Sequence, residues 1–159
     1  MDPSWDDGRI TAFGMLLEAH STLVSTVGRE LESRTDLPLT WFEILLRLGR
    51  TPGQRLRMAQ LASQAALSAS GLSRLADRLE EAGLIRRDAC PSDRRGAFAV
   101  LTDAGEKTLA AALPVHLESL QRHVAGPLGE TRLAELRSML ETLRDAARGG
   151  PPEPPEPFD

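Results

Sequence analysis

Four arginines, Arg74, Arg78, Arg94 and Arg95, are the residues of this sequence best equipped for chemistry, and that chemistry is recognition of phosphate and base edges. A guanidinium offers a planar fork of donors that pairs bidentately with phosphate or with the O6 and N7 edge of guanine. Arg74 and Arg78 stand four apart in "SASGLSRLADRLEEAG". There Leu72, Leu75, Ala76, Leu79 and Ala82 recur at helical spacing and form one apolar face. The opposite face carries Ser70, Arg74, Asp77 and Glu81, with Gly71, Ser73 and Arg78 at its flanks. Ser68 is the natural N-cap, and the small first turn lets a phosphate approach the free backbone N–H groups. Arg94 and Arg95 sit in "CPSDRRG", between two strand-like runs, where an arginine pair has no core to support. The competing reading is a solvated helix face on which Arg74 and Arg78 pair with Asp77 or Glu81.

Other chemistries lack their residues. No glycine-rich phosphate loop, paired nucleophile and base, or cofactor motif is present, so the expectation is a binding protein with no cofactor and no metal, not an enzyme. The lone Cys90 permits no internal disulfide. His116 and His123 are seven residues apart, about 10.5 Å along a helix, too far to share one ion.

The elements that must position these arginines follow from periodicity. Ile10, Phe13, Leu17, His20, Val24, Val27 and Leu31 alternate spacings of three and four, the seam of a long packed helix. Pro38 interrupts, and Thr40 with Glu43 predicts a capped second helix over "WFEILLRLG". A third helix over about 57–64 and a short link lead to the arginine-bearing fourth, which Gly83 closes. "LIRRDA" and "AFAVLT" predict a hairpin, with no more sheet than this and one short edge strand. Strand alternation puts Arg86 and Arg87 on opposite faces. Helix resumes at Asp103, with a kink expected at Pro114 and an interruption at "GPLG". A last helix carries Leu133, Leu136, Leu140, Leu143 and Ala147 before a proline-rich acidic tail expected to be disordered.

The chain has 159 residues and a net charge of −4, but the charge is segregated. Between residues 50 and 96 nine arginines face five carboxylates, whereas both flanks are acidic. That is a basic middle between negative arms. The acidic N-terminus resembles no leader peptide and no apolar run approaches a membrane span, so a cytoplasmic location is expected.

Helix, link, helix and basic hairpin is the plan of a winged helix-turn-helix. "GLSRLADRLEEAGLIRRDACPSDRRGAFAVLTDAGE", residues 71–106, resembles the core of the MarR family of bacterial transcription regulators, and the resemblance is specific over residues 57–106. The resemblance implies a mainly α chain with a small β-hairpin wing (α+β). Its parts would be an N-terminal dimerisation helix (1–36), a DNA-binding head (37–102), C-terminal dimerisation helices (103–148) and the tail (149–159). The implied function is a homodimeric, sequence-specific repressor of transcription on a pseudo-palindromic operator, bound to the nucleoid when it holds DNA and relieved by a small aromatic ligand. Arg57, Ser68, Ser70, Gly71, Ser73, Arg74 and Arg78 would line the major groove or its phosphates. Arg94 would enter the minor groove, and Arg95 would pair with Asp77 to brace the wing. Phe13, His20, Trp41 and Met58 are the candidates for a ligand cleft. The alternative left open is a protein-interaction module that uses the winged unit to bind a partner protein.

Overall fold

The computed structural model describes residues 5–90 and 93–150, without the side chains of residues 90 and 93–95. In chain order come α1 (Gly8–Thr35), α2 (Leu39–Gly49), β1 (Arg55–Arg57), α3 (Met58–Gln64), α4 (Ala69–Glu81), β2 (Ile85–Cys90), β3 (Asp93–Leu101), α5 (Asp103–Leu120) and α6 (Gly126–Arg148). A 3-10 turn, Pro52–Gln54, leads into β1, and a π turn, Gln121–Ala125, joins α5 to α6. The class is the expected one: helices carrying one small antiparallel sheet, ordered β1-β3-β2, with β1 as the short edge strand.

Each boundary has a local cause. Asp7 caps α1 by accepting from the Arg9 N–H at 2.7 Å. Ser68 caps α4 by accepting from the Gly71 N–H at 3.0 Å. Gly83, at φ 73°, takes the left-handed conformation that ends α4. Thr102 then does two things at once. Its hydroxyl donates to the Gly83 carbonyl at 2.6 Å and accepts from the Gly105 N–H at 3.0 Å, so the entry to β2 is pinned to the start of α5.

One sequence expectation fails here. Thr40 does not cap α2, because the helix starts at Leu39 and the Pro38 carbonyl already receives the N–H groups of Trp41 and Phe42. Pro114, where a kink was expected, lies inside α5, and the chain stays helical through it. The disturbance comes downstream, where the Gly126 N–H reaches back five residues to the Gln121 carbonyl and Gly129 leaves helical geometry at φ 73°, ψ 168°.

One core joins the helices to the inner face of the sheet. Leu31, Phe42, Leu45, Leu61, Leu72 and Leu79 are fully buried in it. The sheet contributes Leu56, Ile85, Ala99 and Leu101. In contrast, only the C-terminal part of the α1 seam is covered: Val27 and Leu31 are buried, whereas Ile10, Phe13, Leu17 and Val24 are exposed. No residue of α6 is buried, and Met139 and Leu143 stand in solvent. By length and a mean hydropathy of 1.2, α1 would pass as a membrane span despite the sequence expectation. Its apolar residues nonetheless follow the three-four seam of a packed helix.

A polar cluster fastens α1 to the end of α5. Glu30 accepts from the Ser119 hydroxyl at 2.6 Å and lies 2.8 Å from His123 Nε2, with Arg122 at 3.4 Å. Arg34 and Arg122 both hold Glu118, at 2.9 and 2.8 Å. The Ser119 hydrogen bond, followed by that of His123, lowers the Glu30 carboxyl from 4.5 to about 2. A depressed carboxylate stabilises the fold above its unfolded value and loses that contribution as pH falls through the folded one. Melting temperature should therefore drop more between about pH 4.5 and 2 in the wild type than in Glu30→Gln, as thermal scans across that window would show.

Candidate nucleic-acid interface

The reading head is built outward from the core. Leu72, Ala76 and Leu79 bury one face of α4, which leaves Ser70, Ser73, Arg74, Asp77 and Arg78 exposed on the other. Between α3 and α4 the chain turns through Ala66, at φ 54°, with the Leu67 N–H returned to the Ala62 carbonyl at 2.9 Å. This closure sets the two helices against each other and points the start of α4 away from the core.

Neither the Arg74 nor the Arg78 side chain makes a hydrogen bond or ion pair among the described residues. The competing reading needed Asp77 or Glu81 to neutralise them, but Asp77 is already engaged. Its Oδ1 accepts from Arg87 Nη1 at 2.6 Å. Arg87 also donates from Nη2 to the Ser73 carbonyl at 2.8 Å, and its backbone N–H donates to Glu80 at 3.0 Å. One arginine on β2 thus clamps the wing root to α4 and removes Asp77 from competition with phosphate. Arg86, on the other face of the strand, donates to Asp88 at 3.0 Å. Arg87 is the functional residue the sequence reading did not assign, although strand alternation already turned it away from Arg86.

The remaining expectations distribute as follows. Ser68 and Ser70 lie together at the start of α4, their hydroxyls 3.3 Å apart. Gly71 follows them, half-buried. Arg57 caps α3 and is half-buried, its guanidinium 5.6 Å from the centre of the Phe98 ring. The side chains of Arg94 and Arg95 lie outside the described residues, and so does the expected Arg95–Asp77 pair.

The four candidate ligand residues are not brought together. Phe13 and His20 are exposed on α1, and Trp41 and Met58 pack against the core. A cavity of about 510 Å³ opens elsewhere, between α1, α2 and α5, with Val24, Leu46, Arg47, Arg50, Leu113 and His116 on its walls. Arg47 is committed to Glu43 and to the Gln64 carbonyl. His116 is buried with its ring against Phe42, and its Nδ1 has no hydrogen-bond partner. Burial pushes its imidazole below the usual histidine range, so it is neutral near pH 7.

We expect Asp77→Ala to weaken duplex binding by about fivefold although it deletes a negative charge, because the wing root loses an anchor to α4. Anisotropy titration of a labelled duplex measures this directly. Tighter binding by the variant would show that Asp77 acts as simple repulsive charge.

Comparison with known proteins fits this geometry. The sequence pattern of the MarR family matches residues 35–96. The transcriptional regulator HosA of Escherichia coli O127:H6 is 30% identical over 67% of this chain and 80% of its own. HosA of E. coli O111:H- is 34% identical over 50% of this chain and 58% of its own length. Among solved structures, AbsC, a MarR family transcriptional regulator from Streptomyces coelicolor, superposes with a TM-score of 0.80 at 36% identity, covering 90% of this chain and 96% of that one. Sco3205 from the same organism, solved in complex with DNA, gives a TM-score of 0.78 at 33% identity, covering 92% and 91%.

Proposed function

Because this chain belongs to the MarR family of transcriptional regulators, we propose that it reads a pseudo-palindromic operator in double-stranded DNA as a homodimer and represses transcription from it. The observation that carries this reading is the pair of unengaged guanidiniums on the exposed face of α4, Arg74 and Arg78, beside a wing root that occupies the nearest carboxylate. Arg74 would read a guanine edge, and Ser68, Ser70, Gly71, Ser73 and Arg78 would line the groove and its phosphates. Arg94 would enter the minor groove, whose narrow, electronegative form suits a guanidinium.

The second copy is supported by apolar surface. Most of the α1 seam and much of α6 lack cover in one chain, and burying them against their own copies would complete both. A two-fold dimer would place its recognition helices about 34 Å apart, one turn of the duplex. Such a regulator acts in the cytoplasm, on the nucleoid when bound, without catalysis.

Relief by a small aromatic ligand is supported by the cavity between α1, α2 and α5, whose wall includes the His116 ring and the charged Arg50. A ligand there would touch the helix that carries the α1 seam and the one that supports the head. Selection of bound fragments from a random duplex pool tests the main reading. It should return an inverted repeat whose half-sites are about 10 base pairs apart. Adding benzoate-like acids to the same assay should release the DNA. Recovery of no enriched sequence would overturn the reading.

A further inference from the structure

The outer face of the sheet holds an arrangement that DNA contacts alone do not require. Strand register places Arg57 opposite Phe98 and Arg55 opposite Val100, so these four side chains share the face turned away from the core. Asp88 and Arg86 complete it from β2, opposite the same two residues. Phe98 and Val100 are only 6% exposed, yet they belong to no helix-covered core and form a separate two-residue cluster. Over the Phe98 ring lie two arginines. The Arg55 guanidinium carbon lies 4.6 Å from the centre of the Phe98 ring and that of Arg57 lies 5.6 Å away, both within cation–π range.

The position of Phe98 gives the stack a consequence. β3 is the strand that returns from the wing tip, and Phe98 lies four residues from Arg94. Arg57 is at once the last residue of β1 and the cap of α3, so its side chain is fixed to the head. On its other side Arg57 borders a hollow of about 290 Å³, where the starts of α3 and α4 meet Gly96 and Ala97 of β3. An edge strand of three residues supplies few ladder hydrogen bonds. Without the ring, β3 could tilt toward that hollow or away from it.

We propose that Phe98 is a positioning residue of the wing: held between Arg55 and Arg57, its ring sets the angle at which β3 leaves the head and hence where Arg94 meets the minor groove. This rests on the DNA-binding reading above and adds to it a residue that touches no DNA. The stack works from the outer face of the sheet while the Arg87–Asp77 clamp works from the inner one. Together they restrain the wing root from both sides.

The test is a double-mutant cycle on the full-length protein, with binding to a selected duplex followed by anisotropy. Phe98→Leu keeps an apolar residue on the outer face and removes the ring. It should weaken binding roughly tenfold, the scale of two cation–π contacts. Phe98→Tyr retains the ring and should bind within about twofold of wild type. In an Arg94→Ala background, Phe98→Leu should cost nothing further, because the wing no longer delivers a guanidinium. Additive losses in the double variant, or equal losses for Tyr and Leu, overturn the positioning role and leave the DNA reading standing. A loss that vanishes in Arg57→Ala but persists in Arg94→Ala also overturns it and moves the effect to a phosphate contact by Arg57. A wild-type protein that binds no duplex overturns both.

Discussion

The double variant Arg74→Ala, Arg94→Ala should bind its selected duplex about a thousandfold more weakly than the wild type, while its melting temperature stays within about 2 °C. Arg74 is exposed and unengaged, so its removal leaves no buried group unsatisfied and exposes no core. On the proposed reading its loss would take away one bidentate base contact per protomer, each about 1–3 kcal/mol of discrimination. On the proposed reading Arg94 would act in a different groove, and contacts so separated add nearly independently. The single variants should each lose about thirtyfold, and the sequence preference should relax at different positions. Arg74→Lys separates charge from geometry. A lysine keeps the phosphate attraction but not the fork, so affinity for random duplex should survive while preference for the selected one falls. Calorimetry for stability and anisotropy for binding supply both readings. Loss of binding together with loss of fold would attribute the effect to misfolding.

Gly105→Ala should lower stability by about 3 kcal/mol, at the upper end of overpacking costs, and lower the melting temperature by about 6–12 °C. A Cβ at this position would lie 2.1 Å from the Leu84 carbonyl oxygen and 2.7 Å from a Leu101 methyl. The first of these is backbone and cannot rotate away. The crowding follows from the double role of Thr102, which draws the Gly83 carbonyl and the first turn of α5 together. Only a residue without a side chain lets the helix begin so near the β2 entry. Thr102→Ala, which removes the tie but adds no atom, should cost only about 1 kcal/mol. If Gly105→Ala melts like the wild type, α5 can move away from β2 and the junction is looser than its geometry indicates.

How much of this is legible before folding differs from element to element. The apolar face of α4, the Ser68 cap and the Gly83 stop follow from spacing and local chemistry, because each depends on residues within one turn. The Leu-Thr-x-x-Gly run is visible as a pattern, but its cause is not. The Gly105 requirement comes from Leu84, twenty-one residues earlier, through a contact that no periodicity encodes. The Asp77 partner shows the same limit. The sequence marks Asp77 as an odd carboxylate among arginines, and only the register of β2 against α4 reveals Arg87 beside it. The Arg55–Phe98–Arg57 stack is hidden further, because it requires β1 to join the sheet. Three residues after a proline and a glycine carry too little pattern to announce a strand. The Thr40 expectation failed for a related reason. Local capping chemistry favoured it, but the Pro38 carbonyl takes the first helical N–H groups one step earlier.

The cavity makes the complementary point. Candidate ligand residues chosen for aromatic or histidine character go to the core or to solvent. The wall is instead made mostly of leucines and valines from three helices, with Glu43, Arg47, Arg50 and His116 as its polar members. Aromatic side chains are valuable in a core as well as in a cleft, so type alone does not separate the two.

Salt dependence of duplex binding by the wild-type protein, followed from 50 to 200 mM, decides whether the basic head of this acidic chain holds DNA as described. Two protomers that together neutralise about six or more phosphates should lose at least about a thousandfold in affinity over that range. The logarithmic slope should shrink by about two when Arg78→Ala removes one phosphate contact from each protomer. Binding that is absent at the lowest salt, or that does not change across the range, would contradict it.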